Sequence, residues 1–177
     1  MIDRSKLTFE EKTHTYRYDG QVLMSVTQVL KPISDLEYGG VNDYVLNNAA
    51  ERGDKVHFAI ELFNEYGVVE IDEEYRGYLD AYMTFREMYE YKPIHNEKRV
   101  FSELGYAGTV DAVAEVNGIL TVVDYKTTTK LNEKKTGLQV AAYRQALREE
   151  GIDVDLGAVL QLKKDGKYKF LTYDNNQ

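Results

Sequence analysis

The sequence contains no cysteine. That removes disulfides, zinc–thiolate sites and iron–sulfur clusters together, and it fits a reducing compartment. No run approaches the roughly 18 apolar residues that a membrane span needs. The opening, MIDRSKLTFEEK, is too charged for a signal peptide and too acidic for a transit peptide, so a cytoplasmic protein without membrane contact is expected. Positive charge is scarce: 22 Lys and Arg against 30 Asp and Glu give a formal charge of −8. Net charge therefore opposes a polyanionic partner, and binding one would rest on local basic clusters. Repeats, linkers and low-complexity segments are also missing, and 177 residues with 43% hydrophobic content suit one domain, residues 1–177.

What is present concentrates at residues 106–128. Val110, Ala112, Ala114 and Val116 alternate with Thr109, Asp111, Val113 and Glu115, and residues 119–125 are rich in β-branched side chains. Asn117-Gly118 between the two runs is the strongest short-range hairpin signal. A two-residue type I′ turn pairs Val116 with Ile119, and counting back sets Asp111 opposite Asp124 and Thr109 opposite Lys126. Opposed residues have Cβ atoms roughly 4.5–5.5 Å apart, where like charges destabilise a hairpin. Two carboxylates at that spot call for a cation, and a divalent metal is the candidate. The strand period of two puts Lys126 on the face of Asp124. Two acids and a lysine on one face make a metal-dependent phosphodiesterase site. The alternative is that Asp111 and Lys126 pair across a solvated sheet face.

Ahead of this hairpin, residues 13–24 read as strand, Asp19-Gly20 turn and strand, and Ser25 caps a short helix that Pro32 ends. Over residues 41–66 the periodicity predicts a long helix, with Gly53 as a point of interruption and Val56, Ala59, Ile60 and Phe63 on one face. His57 lies beside that face, and Glu61, one turn on, is placed to hold its imidazole. Tyr75, Tyr78, Leu79, Tyr82, Phe85, Met88 and Tyr89 form a helical stripe, expected in the core rather than under bases; Pro93 ends that helix. Residues 94–103 read as the next strand, with Glu97, Arg99, Phe101 and Glu103 on one face. Residues 133–150 form a helix on the periodicity of Leu138, Ala141, Ala142, Ala146 and Leu147, ended by Gly151, with Gln139 and Tyr143 sharing a face. Residues 155–163 and 167–173 form a last strand pair. Basic residues flank the central hairpin in sequence: Lys92, Lys98 and Arg99 before it, Lys130, Lys134 and Lys135 after it.

Gly108-Thr109-Val110-Asp111, followed by Asp124-Tyr125-Lys126-Thr127-Thr128, resembles the PD-(D/E)xK nuclease core as written in RecB-type and mitochondrial-genome-maintenance-type exonucleases. Arg52-Gly53-Asp54-Lys55-Val56-His57 resembles the R-G-x-x-V-H stretch of that family, and Gln139 with Tyr143 its Q-x-x-x-Y signature. Phe9, His14, Tyr16, Gly20, Ser25, Val26 and Thr27 resemble the opening of phage-borne members.

The resemblance implies an α+β fold (α/β by looser usage) with a restriction-endonuclease-like core, a central mixed sheet flanked by helices. Residues 1–40 would hold an N-terminal hairpin and short helix, 41–150 the nuclease core, and 151–177 a C-terminal strand pair. It implies Mg2+ or Mn2+ held by Asp111, Asp124 and His57, with Glu97 and the Tyr125 backbone carbonyl as further ligands. Lys126, with Asp111 and Asp124, would be catalytic; Gln139, Tyr143 and Arg52 would meet nucleic acid. Oxygen ligands favour magnesium or manganese, and the histidine tilts the set toward manganese. Without cysteine, the chain falls in a branch lacking the cluster that some relatives carry. The activity implied is DNA exonuclease on single strands or duplex ends, with unwinding left to a separate helicase or recombination protein. A restriction-type endonuclease on the same core and a catalytically idle DNA-end-binding or assembly factor are the rivals.

Overall fold

The computed structural model describes residues 3–38, 40 and 42–174; residue 41, the expected start of the long helix, lies outside them. The chain opens with an antiparallel meander of β1 (Leu7–Glu10), β2 (Thr15–Tyr18) and β3 (Gln21–Ser25), in which β1 is a strand the sequence pattern did not reveal. Asp19 and Gly20, at φ 49° and 81°, make the expected tight turn. Ser25 caps α1 (Val26–Val29) through a reciprocal capping box with Gln28. Pro32 does not end this helix. α2 (Lys31–Tyr38) follows at once, and Pro32 sits in its first turn, where a missing N–H leaves no bond unmade.

α3 (Asp43–Tyr66) runs unbroken through Gly53, against the expected interruption, from an Asn42 cap to Gly67 at φ 74°. With α4 (Glu73–Met88) it lays Val56, Ile60, Leu79, Tyr82 and Phe85 on one face of the sheet. Full burial of Ile60, Leu79 and Phe85 stabilises by roughly 1.5–3 kcal/mol each, which outweighs the mediocre helix propensity of tyrosines and polar residues around them. Met88, assigned to this stripe, is instead exposed, because the helix stops there and Tyr89 is already extended. Pro93 accordingly does not end the helix. It lies inside β4 (Tyr91–Ser102), opposite Ala114 and beside a register shift, where a missing donor is tolerated.

β5 (Tyr106–Val116) organises the sheet. β4 pairs antiparallel along one of its edges, from Tyr91↔Val116 to Ser102↔Tyr106. Two strands share the other edge: β6 (Ile119–Lys126), antiparallel from Val116↔Ile119 to Ala112↔Val123, and β3, parallel at Tyr106 and Ala107. Residues 108–111 fall in the notch between them. β7 (Leu156–Leu162) joins β6 in parallel and β8 (Tyr168–Tyr173) joins β7 antiparallel, completing a mixed sheet of eight strands among the described residues.

α5 (Glu133–Glu149) and α1 cover the second face of the sheet, with Val26, Val110, Val122, Val140, Tyr143 and Leu147 between them. The buried side of α5 differs from the expected one: Leu138 and Ala141 are exposed, whereas Gln139, Tyr143 and Arg144 face inward. Two glycines decide this rotation. A Cβ on Gly108 would stand 2.7 Å from Tyr143 Cε1, and one on Gly157 would stand 2.9 Å from Val140 Cγ2. The helix settles into these two recesses, and the architecture is the α+β layering expected, with helices on both sheet faces.

Candidate metal centre

The notch in the β5 edge holds the site. Asp111 lies one step beyond the last β5–β6 pair, and its Oδ2 accepts the Tyr125 N–H at 2.6 Å. The carboxylate thereby satisfies a backbone donor that a strand partner would otherwise take. The expected register thus holds from Val116↔Ile119 to Ala112↔Val123, and the strands part where the two aspartates were to meet face to face. From the other side β4 supplies Glu97, in line with Asp111 between the pairs Asn96↔Ala112 and Lys98↔Val110. Glu97 has φ 45°. For a non-glycine residue inside a strand that conformation costs on the order of 1–3 kcal/mol, and such outliers gather at functional sites. Glu103, the other glutamate predicted for this strand, lies past its end, where its N–H bonds to Glu149.

α3 brings His57 over the notch. Its Nε2 is 3.1 Å from the Tyr125 carbonyl and its Nδ1 is 3.6 Å from Asp111 Oδ1. A carbonyl oxygen only accepts, so Nε2 carries the hydrogen, and in the neutral ring the Nδ1 lone pair faces a carboxylate. A cation between the two turns that repulsion into coordination. One atom each from His57, Glu97 and Asp111 lie within 4.8 Å of one another. An ion with bonds of roughly 2.0–2.2 Å closes that span with small side-chain shifts, so an imidazole and two carboxylates fit a divalent metal. Glu61, expected to hold the imidazole, does not bond to it; the Tyr125 carbonyl does that work.

Asp124 stands apart from this group. It is 1% exposed, and Lys126 Nζ lies 2.5 Å from its Oδ2. Burial pushes the Asp124 carboxyl up to about 6, against the pull of Lys126 and with the help of Asp111. Burial, followed by the charges of Asp111, Glu61, Asp124 and Asp54, pushes Glu97 up to about 8. The centre holds more acid than its own cations neutralise. In the metal-free protein the folded state binds more protons than the unfolded chain between pH 4.5, the ordinary glutamate value, and 8. Stability is therefore greatest below that window and falls as pH rises through it. Thermal melts from pH 4.5 to 8 should show this loss, Glu97→Gln should remove most of it, and saturating Mn2+ should flatten it. An unchanged slope in Glu97→Gln would place the repulsion elsewhere.

Residues 73–177 match a sequence-family model for the PD-(D/E)XK nuclease superfamily, and the matched stretch carries Glu97, Asp111, Asp124 and Lys126. The chain belongs to the PD-(D/E)XK nuclease superfamily. Its mixed sheet flanked by helices is the restriction-endonuclease-like fold, and the family performs metal-dependent cleavage of nucleic-acid phosphodiester bonds. The match begins after α3, so it does not reach His57, whose place at the centre rests on the geometry and on the R-G-x-x-V-H resemblance. No curated protein sequence matches the chain. The solved structures that match include the crystal structure of SSO0001, at 15% identity and a TM-score of 0.35, covering 70% of this chain; the chain spans 66% of that one.

The other residues expected at the site stand around the notch in different ways. Gln139 Nε2 donates to the Tyr143 hydroxyl at 3.2 Å, and both side chains are buried, so neither offers a surface to a nucleic-acid backbone. Burial, then the charges of Asp124 and Asp111, pushes the Tyr143 hydroxyl well up. Arg52 Nε donates to Thr127 Oγ1 at 3.4 Å, just past β6, with its guanidinium 5.9 Å from the Tyr78 ring centroid. The three basic residues that precede the hairpin disperse in space. Lys98 is buried 3.5 Å from Glu150, Lys92 pairs with Glu115 on the surface, and Arg99 lies over the Phe9 ring. Strand alternation sends neighbours to opposite faces. Phe9, Asp54, Phe58, Arg99 and Thr109 line the same cavity as His57 and Glu97 and were not foreseen as site residues. Helical spacing could have flagged Asp54, three residues before His57. Nothing local marks Phe9, which arrives through the β3–β5 pairing.

Proposed function

We propose that the chain is a magnesium- or manganese-dependent DNA exonuclease of the RecB type, phage-borne and cytoplasmic. It acts on single strands or duplex ends beside a separate helicase or recombination protein. The observation that carries this reading is the group of His57, Glu97 and Asp111 with the Asp124–Lys126 pair one strand away. His57 Nδ1, Glu97 and Asp111 would hold the ion, while Asp124 stays paired with Lys126 beside them. The Tyr125 carbonyl fixes the His57 tautomer through Nε2–H, a partner of the kind that metal-bound histidines need. A bound ion supplies a Lewis acid for the scissile phosphate and a water of lowered pKa. Lys126, whose side chain is 23% exposed while Asp124 is sealed, would present its ammonium to the attacking water or to the developing charge. Gln139 and Tyr143 back the acids from behind, and Arg52 meets a substrate phosphate near Thr127.

End-labelled linear, circular and single-stranded DNA incubated with Mg2+ or Mn2+ tests the reading. Mononucleotides released from ends with circles left intact is the expected result; nicked circles would favour the endonuclease, and binding without cleavage the idle factor. His57→Ala should weaken apparent Mn2+ affinity by roughly 10–100-fold, a range borrowed from partners of metal ligands. It should depress manganese-supported activity at least as much as magnesium-supported activity. A purely structural His57 would lower thermal stability and leave the metal preference where it was.

A further inference from the structure

The geometry points to a base-stacking subsite on Phe58, which admits one unpaired nucleotide of a single strand beside the metal centre. This inference deepens the nuclease reading of the same site and rests on it.

The cavity at the centre measures about 350 Å³; Phe9, His57, Phe58 and Arg99 line it together with the carboxylates of Glu11, Asp54, Glu61 and Glu97. That is the small end of the roughly 300–1,000 Å³ range of ligand pockets, room for one nucleotide. Phe58 follows His57 on α3, and the residue is 60% exposed. A single exposed phenylalanine on a surface needs no explanation; its setting here does. Asp54 and Glu61 lie one helical turn to either side of it, so the ring stands among carboxylates on the wall of the metal centre.

The two aromatic walls differ. Phe9 has its ring in contact on several sides: the Arg99 guanidinium stands 5.0 Å from its centroid, Tyr16 4.6 Å, and His14 5.1 Å. Phe58 makes none of these ring contacts among the described residues, so its π face is available to an incoming base. The charges decide which part of a nucleotide goes where. A phosphate is repelled by Asp54, Glu61 and Glu97 everywhere except at a bound metal and at Arg99, whereas a base is uncharged and carries a π face whatever its identity. Stacking on aromatic side chains tolerates every sequence but requires a base free of its own duplex stack. The subsite therefore selects an unpaired nucleotide and is indifferent to which one.

The test uses the full chain, with Ca2+ in place of the activating ion for binding, and a single strand bearing a fluorescent purine analogue at its end. Wild type should quench the analogue on binding. Phe58→Ala should lose the quench and weaken single-strand binding about tenfold, within the range found when stacking rings are removed. Phe58→Tyr should retain both. In cleavage, Phe58→Ala should raise KM for single strands by about the same factor with kcat within about twofold, and an abasic end nucleotide should erase the difference between wild type and variant. Phe58 is exposed, and its removal leaves the core untouched; a circular dichroism melt at the wild-type temperature confirms it. Equal quenching, binding and KM in Phe58→Ala would overturn the subsite while DNA cleavage by wild type left the nuclease reading standing. A quench that depends on Phe58 in a protein that cleaves no nucleic acid would do the reverse.

Discussion

Asp111→Asn is expected to lower cleavage by about 10²–10³-fold or more, the scale of losing one charge stabiliser in a preorganised site, while the metal-free protein becomes no less stable. Asparagine keeps an oxygen to accept the Tyr125 N–H that Asp111 holds at 2.6 Å, so the seam between β5 and β6 survives. What disappears is a negative charge that, after burial, is the largest influence raising the Glu97 carboxyl. Relief of that repulsion should raise the melting temperature of the metal-free protein near pH 8. The stabilisation that Mn2+ confers on wild type should vanish with the charge. Asp111→Ala separates the two duties of the residue, because it also strands the Tyr125 N–H, a loss of about 1–3 kcal/mol when the group is buried. Titration calorimetry and melts with and without Mn2+ decide the matter. If Asp111→Asn bound Mn2+ as wild type does, the residue would be a strand-end cap and nothing more.

Lys126→Ala is expected to abolish hydrolysis while leaving metal binding largely intact, since an ammonium acts on water or phosphate and does not ligate. It should also destabilise the fold, by about 3 kcal/mol at pH 8, as removal of one partner from a buried ion pair does. Asp124 is left sealed in the sheet without the ammonium that opposes its burial. Its carboxyl then rises further above about 6, so the folded state takes up a proton more readily. The destabilisation is accordingly largest above that pH and shrinks as the solution is acidified and Asp124 becomes neutral. Denaturant titrations at pH 8 and pH 5 read the stability difference, and single-turnover cleavage reads the chemistry. Near wild-type turnover in Lys126→Ala would reduce the pair to a structural salt bridge in β6.

The centre departs from the sequence-derived arrangement in one instructive respect. Pairing by register alone brought Asp111 and Asp124 together as the metal ligands. The folded chain instead gathers His57, Glu97 and Asp111 and ties Asp124 to Lys126. Registers describe a continuing ladder, and this one stops at Ala112↔Val123. Beyond it the Asp111 carboxylate turns to a backbone N–H, and Glu97, on the face it shares with Arg99, lines the same cavity as His57.

The sequence by itself determined whatever depends on neighbours along the chain. Asn117-Gly118 set the central hairpin and its register, because a type I′ turn leaves one pairing open to the strands it joins. Ser25 with Gln28 set a helix start, and the stripe from Tyr78 to Phe85 set a core face, because the 3.6-residue period is written into the spacing. The order of Asp111, Asp124 and Lys126 carried the family.

Only the tertiary structure decided what depends on two segments meeting. It placed β3 and β6 end to end along β5, which opens the notch. It rotated α5 so that Gln139 and Tyr143 face inward over Gly108, and it sent Lys98 to Glu150 in the interior rather than to a basic surface. It also brought Phe9 and Phe58 to one cavity. None of these contacts joins residues close in sequence. Their free energy comes from close packing between elements and from charges pressed together in the low-dielectric seam of the sheet, and such forces have no period to read in a chain.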